Sequence, residues 1–480
     1  MSPRRSMPAV GTTVLTLALL TPIGVALLVT GQQTATDPGP RKDAPDAGGP
    51  FPNLSTQQVT AFNNGKGQFE EDEPVPNSPP GGGNGGLGPG YNGTSCVSCH
   101  QQPAPLGSSP SPQSVQNPVK RNPQIDMATE NGATNTVPSF INANGPVREA
   151  RFIRNPDGSA DGGVHDLFTI AGRADAPGCT LGQPDFAGNL ARNNVIFRIP
   201  TPLYGLGLVE ATPDSTLEQN LASTATLRAQ FGIGGRFNRE TSQHSWKHQD
   251  LQGPGPATQG FNPSGNDGTI MKFGWKAQNK SLTIFAAEAY NVEMGVTNDL
   301  FPNERNEFTG CMFTATPEDG HATTPGGESD VDQFVDATRY SAPAAQNTTA
   351  FPDISTGAGL FKQVGCVLCH TDTLVSGNTT ITAEANFTYH PYSDFAIHHM
   401  GENLADGVSQ GNAGPDEFRT APLWGAGQRV YFLHDGRSTN LMDVIQQHQS
   451  RGSEANGTVR QFNALTPTQQ QAVLDFIRSL

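Results

Sequence analysis

The sequence predicts a mainly α-helical fold with long loops, built as two related units of which the N-terminal one is heavily elaborated. First, the pentapeptide Cys-x-x-Cys-His occurs twice, at residues 96–100 and 366–370. Second, a TPLYGLG segment at 201–207 follows the first motif, and a related TAPLWGAG segment at 420–427 follows the second. Third, only 35% of the residues are hydrophobic, while 55 are glycine and 39 are proline, a composition typical of long connections.

Each Cys-x-x-Cys-His motif predicts one covalently bound haem, because its two thiols can add to the haem vinyl groups and its histidine can bind the iron. The predicted attachment residues are Cys96, Cys99, His100, Cys366, Cys369 and His370. The alternative is a zinc site, since Cys-x-x-Cys is also half of many zinc sites. Zinc would have to join two distant motifs and would leave both histidines unexplained. The sequence therefore predicts two c-type cytochrome-like haem domains and a protein that moves electrons.

The amino-terminal residues 1–31 predict a signal peptide or an N-terminal anchor. Arg4 and Arg5 precede an uncharged stretch whose apolar centre, residues 14–29, is interrupted by Pro22. This centre is short for a membrane-spanning helix, so a cleaved leader is favoured and the membrane is a partner only if the segment is uncleaved. Either way, we expect a protein of the periplasm or one otherwise exported.

Three further regions follow the leader. Residues 32–85 are rich in proline and glycine and predict a disordered linker with one short helix near 56–63. Residues 86–345 form the predicted N-terminal haem domain, with one convincing helix at 281–294. Residues 346–480 form the predicted C-terminal cytochrome c-like domain, which begins with a short helix before the second motif and ends with a helix capped at Thr466.

The net charge of −15 is spread along the chain, which argues against nucleic acid as a partner. It is compatible with a basic electron donor such as a small redox protein. The two cysteines outside the motifs, Cys179 and Cys311, predict a disulfide in an oxidising compartment.

The sequence resembles the di-haem oxidoreductase family, a relative of the bacterial di-haem cytochrome c peroxidases. The resemblance is carried by LGP at 87–89, TPLYGLGLVE at 201–210, FGWKAQ at 273–278, EMGVTN at 293–298 and HDG at 434–436. It implies an exported di-haem oxidoreductase with peroxidase-type chemistry. Peroxide, or another small-molecule substrate, would be reduced at the His100 haem, and electrons would be relayed through the His370 haem.

The resemblance also implies roles for individual residues. Trp275 would lie between the haems, and Glu293 would line the peroxide pocket of the first one as an acid–base group. Glu210, in a glycine-rich turn with apolar neighbours, is a second candidate for that role. In the relatives a methionine usually binds the second haem at the position of His448, which leaves His448 as the expected ligand and Met400 as its alternative.

Two expectations remain open at this stage. Thr420 and Pro422 match a segment that offers backbone oxygens to a calcium ion in the peroxidases, so calcium is an optional second cofactor. The function also has two alternatives to peroxide reduction. One is a non-enzymatic electron-transfer cytochrome, and the other is oxidation of an organic or protein substrate through high-valent haem iron.

Overall fold

The computed structural model of the protein describes residues 34–75, 86–239, 269–313, 316–320 and 328–480. Helices joined by long loops dominate it, and its strands are short, so the helical part of the predicted fold class is present. The division into two haem domains stays a prediction. The α-helices of the described residues are α1 (Thr56–Glu70), α2 (Cys96–Cys99), α3 (Gln124–Met127), α4 (Phe186–Ala191), α5 (Leu206–Glu210), α6 (Asp214–Ser223), α7 (Ala225–Phe231), α8 (Leu282–Met294), α9 (Asp330–Arg339), α10 (Ile354–Gln363), α11 (Leu441–Gln447), α12 (Asn456–Asn463) and α13 (Pro467–Ser479).

The strands form small antiparallel sheets around the helices. They are β1 (Gly90–Tyr91), β2 (Glu149–Phe152), β3 (Val164–His165), β4 (Phe168–Thr169), β5 (Val195–Arg198), β6 (Leu374–Val375), β7 (Thr388–Tyr389), β8 (Ile397–His399) and β9 (Glu417–Arg419). The largest sheet has the order β3-β2-β5, and β1 pairs with β4, β6 with β7 and β8 with β9. Across the described ranges no helix is long and apolar enough to cross a membrane, and the predicted leader lies outside those ranges.

The central strand β2 presents charged side chains to one side of its sheet. Glu149 is paired in register with Arg198 of β5. Because side chains alternate along a strand, Glu149 and Arg151 point to the same face. Both line the cavity described below.

The predicted helix at 281–294 is confirmed as α8. The Ser281 hydroxyl accepts the N–H of Ile284 at its start, and Gly295 ends it with a positive φ of 74°. A Cβ on Gly88 would lie 2.5 Å from the Gly295 carbonyl oxygen, so glycine lets the segment before the first motif pass directly over the helix end. The Asn92 N–H then donates to the Glu293 carbonyl at 2.7 Å. This contact sets the first motif beside the carboxyl end of α8.

The C-terminal helices match the prediction closely. α10 precedes the second motif, and α13 begins with a capping box at Thr466. The two helices approach so closely that a Cβ on Gly357 would lie 2.0 Å from the Ala472 carbonyl oxygen. Phe361 and Phe476 pack between them with ring centroids 5.3 Å apart. This pair of helices forms much of a second hydrophobic core, separate from the main one.

The prediction of a disordered linker is wrong for residues 34–75. The Ser55 hydroxyl accepts the N–H of Gln58, and the Gln58 side chain accepts the N–H of Ser55, so a capping box starts a helix that continues well past the short one expected. Phe69 of this helix is buried, with its ring 6.5 Å from that of Phe334 in α9. The apolar partners that order the segment lie far along the chain, where composition alone does not reveal them.

The same segment contacts the C-terminal helix. Asp37 accepts hydrogen bonds from the Arg478 guanidinium at 2.7 and 2.8 Å, and both side chains are buried. The Arg41 Nε donates to the Arg478 carbonyl at 2.7 Å. Residues 34–75 therefore extend from α13 to α9.

Cys179 and Cys311 form the disulfide that the sequence predicts. Both cysteines are buried in the main hydrophobic core, 132 positions apart in sequence. The bond ties the loop after β4 to the loop after α8.

Candidate active site

A cavity of about 400 Å³ lies beside the first Cys-x-x-Cys-His motif. Its volume falls in the range of about 300–1,000 Å³ that is usual for bound organic ligands. Apolar side chains such as Phe69, Leu282 and Phe285 form part of the wall. The lining residues that carry the following argument are Cys96, Cys99, His100, Glu149, Arg151, Arg198, Trp275 and Glu293.

The first motif fits a covalently bound haem. Cys96 and Cys99 are free thiols on the cavity wall. His100 Nδ1 lies 3.0 Å from the Gly107 carbonyl, which fixes the ring and favours Nε2 as the iron-binding atom. Burial lowers the pKa of His100 to about 4, so the imidazole is neutral, as an iron ligand must be.

Two glutamates form a hydrogen-bonded pair in this cavity. Glu293 bonds to Glu149, and its Oε2 also accepts from Asn92 Nδ2 at 3.0 Å. Arg151 Nε donates to Glu149 Oε1 at 2.7 Å. Two carboxyl groups can hydrogen-bond to each other only when one holds a proton, and Arg151 decides which. Burial and the charge of Glu149 raise the pKa of Glu293 well above its ordinary value, whereas Arg151 overcomes the effect of burial and holds the pKa of Glu149 below its own.

Glu210, the second predicted acid–base candidate, does not line the cavity. Its carboxylate accepts the N–H of Leu282 at 2.9 Å and pairs with Arg339 Nε at 2.9 Å. The side chain is only 1% exposed. Its contacts therefore stabilise the start of α8 and join that helix to α9, which is a structural role.

Trp275 lies between the large cavity and a much smaller one. The smaller cavity is lined by residues of both repeated segments, including Pro202 and Pro422, and Trp275 lines both cavities. The indole Nε1 donates to the Ile199 carbonyl at 2.9 Å. The structure thus places Trp275 where the two halves of the chain meet.

His370 of the second motif and His448, which lies near it, have similar environments. His370 Nδ1 lies 2.9 Å from the Tyr392 carbonyl, and His448 Nδ1 lies 2.7 Å from the Val444 carbonyl. Burial lowers the pKa of both, that of His370 to about 4, and His448 is close enough to contribute to the shift of His370. These two neutral, oriented imidazoles are the residues that would bind the iron of a haem attached to the second motif. For Met400, the alternative, the backbone N–H donates to the Asp416 carbonyl and the backbone carbonyl accepts from Ser450 Oγ.

Comparison with known proteins places the chain in a family. Residues 149–480 match the model of a family described as "Di-haem oxidoreductase, putative peroxidase". The chain belongs to this family. The matched region contains the second Cys-x-x-Cys-His motif and begins after the first one. Membership implies two haems and the chemistry of an oxidoreductase.

The other comparisons add little to the family match. No curated protein matches the chain. Among solved structures, hydrazine synthase of Kuenenia stuttgartiensis aligns over 99% of this chain and 100% of that chain, with 11% sequence identity and a TM-score of 0.31. Likeness at this level supports no conclusion about fold or function.

Calcium does not fit the position where the sequence suggested it. The Thr420 carbonyl oxygen already accepts a hydrogen bond from Ser393 Oγ at 2.6 Å, and the guanidinium of Arg419 lies 3.5 Å from it. Pro422 faces the small apolar cavity. In the described parts of the chain, no three His, Cys, Asp or Glu side chains are grouped so that they could hold a metal ion. A buried arginine therefore occupies the place expected for the cation.

Sequence reasoning missed Glu149, Arg151 and Asn92, which complete the surroundings of Glu293. They lie on a strand and in a loop with no recognisable motif. The one available indication is the Glu-x-Arg spacing at 149–151, which sets two opposite charges on one face of a strand.

Proposed function

We propose that this protein is an exported c-type di-haem oxidoreductase that reduces peroxide in the cavity beside His100. The observation that carries the proposal is the pair of neighbouring carboxyl groups on the wall of that cavity, Glu149 and Glu293, with Arg151 bound to the first and Asn92 to the second. When bound there, haem would supply the iron that binds peroxide and the electrons that reduce it. The groups that would hold the two haems are Cys96, Cys99, His100, Cys366, Cys369, His370 and His448.

The glutamate pair can supply the proton transfer that peroxide cleavage requires. Reduction of hydrogen peroxide to two waters consumes two electrons and two protons, and the outer oxygen leaves only if a proton reaches it. Glu293 holds such a proton because burial and Glu149 disfavour its ionised form. Glu293 can donate this proton to the departing oxygen, which leaves as the first water. The two electrons that the haems would supply and one proton from solvent then complete the second water, and Glu293 regains its own proton from solvent.

Arg151 and Asn92 fix the direction of this transfer. Arg151 keeps the negative charge of the pair on Glu149, so the transferable proton stays on Glu293. Asn92 holds Glu293 Oε2 from the side of the first motif. The carboxyl group is therefore oriented before any substrate arrives, which is the arrangement that acid–base catalysis favours.

The second motif is proposed as the point of electron entry. His370 and His448 would both bind the iron of its haem, and a haem held by two protein ligands would serve as an electron relay. Trp275, which lines both cavities, would carry the electrons on to the large one. The net charge of −15 favours a basic small redox protein as the electron donor.

The test is a spectrum and a turnover measurement on the purified holoprotein. We expect one high-spin and one low-spin haem, a spectral change on addition of peroxide, and consumption of peroxide when a reduced cytochrome is supplied. Two low-spin haems with no response to peroxide would leave only electron transfer. Rapid oxidation of an organic or protein substrate, with slow oxidation of the cytochrome, would favour the third function. Cell fractionation tests export separately.

A further inference from the structure

The ammonium group of Lys276 lies in a buried cage of oxygen atoms. Lys276 Nζ donates to the carbonyl oxygens of Gly414 and Glu417, both at 2.9 Å, and lies 3.4 Å from that of Pro415. The Asp406 carboxylate completes the cage at 3.2 Å. The residue has no exposed surface. Backbone carbonyl oxygens with one carboxylate are the ligand set that proteins offer to hard cations such as calcium.

The cage joins the two halves of the chain. Lys276 comes from the half that carries the first motif, whereas its oxygen ligands come from residues 406–417 in the other half. Asp406 also binds Arg198 of the cavity wall at 2.7 Å, so it receives two cations from the opposite half. Burial lowers the pKa of Lys276 to about 8, which still leaves the amine protonated at pH 7.

Lys276 is connected to Trp275 by more than the peptide bond. Its ammonium lies 4.0 Å from the ring centre of Phe418, a cation–π contact. Phe418 stacks on His434 at 4.4 Å, and His434 meets the indole of Trp275 edge-on at 6.4 Å. The Trp275 carbonyl also accepts the N–H of Arg419, next to Phe418, at 2.9 Å.

We propose that the Lys276 ammonium is a built-in cation that joins the two halves and positions Trp275 between them, in place of a bound metal ion. A covalently attached cation cannot be lost by dilution or chelation. It also binds the same carbonyl oxygens in every molecule. Lys276 is thus a positioning residue. The proposal concerns the folded chain and does not depend on peroxide being the substrate.

Lys272 provides a matched comparison. It is also a fully buried lysine on the same segment, and its ammonium also donates to backbone carbonyls. Those carbonyls, of Val209 and Thr212, belong to the same half of the chain. The loss of Lys272 therefore removes a buried lysine side chain without removing a link between the halves.

The experiment compares Lys276→Ala with Lys272→Ala in the full-length holoprotein. Hydrogen exchange is measured by mass spectrometry for peptides covering 273–279 and 414–420, with and without n-propylammonium, which replaces the missing part of the side chain. We expect Lys276→Ala to accelerate exchange in both peptides by ~10-fold or more, since opening is easier when a buried charge contact is lost. Propylammonium should reverse the change in both, and Lys272→Ala should leave 414–420 unchanged.

Two results would overturn the proposal. One is unchanged exchange of 414–420 in Lys276→Ala. The other comes from the wild-type protein and remains available if the variant does not fold. A melting temperature that falls on addition of EDTA and returns with calcium would show that a bound metal ion joins the halves, whereas a built-in cation predicts no change with either addition.

Discussion

Replacing Glu293 with glutamine tests the proposed proton transfer most directly. The amide keeps the shape of the side chain, and its oxygen can still accept from Asn92 while its NH₂ donates to Glu149. The hydrogen-bonded frame is therefore preserved, and the transferable proton is lost. Removing one acid–base group typically slows a reaction by roughly 10²–10⁴, which corresponds to about 3–5 kcal/mol in the barrier.

We expect the rate of the Glu293→Gln variant to fall by a factor near the upper end of that range. Glu149 is the nearest carboxyl group that could take over, but Arg151 lowers its pKa and keeps it ionised, which makes it a poor acid near neutral pH. Stopped-flow measurement of the reaction with peroxide, normalised to haem content, gives the rate. The control is Glu210→Gln, which lies outside the cavity and should lower stability by about 3–5 kcal/mol without changing turnover per folded molecule. Full activity in Glu293→Gln would refute the role of Glu293.

Three further predictions concern the pair, the second haem and the disulfide. Glu149→Gln removes a negative charge that raises the pKa of Glu293, so the pKa of Glu293 should fall. The alkaline limb of the pH profile of kcat/KM should then move to lower pH, and an unmoved limb would show that the pair takes no part in the reaction. His448→Met should raise the reduction potential of the second haem in a redox titration, and Met400→Leu should not; equal shifts would contradict the ligand assignment. Replacing Cys179 and Cys311 with serine should lower the unfolding free energy by about 3–5 kcal/mol in denaturant titrations, with peroxide turnover unchanged.

Local patterns were sufficient to predict several helices and part of the cavity. α8 could be predicted because Ser281 and Gly295 mark its two ends and apolar residues fill its interior. Glu293 was implied by the family resemblance, and the structure places it at the end of that helix on the cavity wall. The Cys-x-x-Cys-His motifs are equally local, since five consecutive residues contain the whole attachment chemistry.

Contacts between distant residues were beyond the reach of sequence patterns. Glu210 looked like a cavity residue because its neighbours are apolar, yet Arg339, 129 positions later, binds its carboxylate. Glu149 belongs to no recognisable motif, and only the fold brings its carboxyl group next to that of Glu293. The calcium expectation rested on a local motif, which does not report that Ser393 and Arg419 already contact the Thr420 carbonyl.

The course of residues 34–75 has a consequence for how the molecule matures. Asp37 reaches its partner Arg478 only 441 positions later, and Phe69 packs on Phe334 while its ring also lies 6.1 Å from His100. A chain made from its amino end therefore cannot place this segment until most of the remaining sequence has been synthesised. The earliest of the described residues are thus held in place by the last helix of the chain, so that loss of α13 would also release the segment before α1.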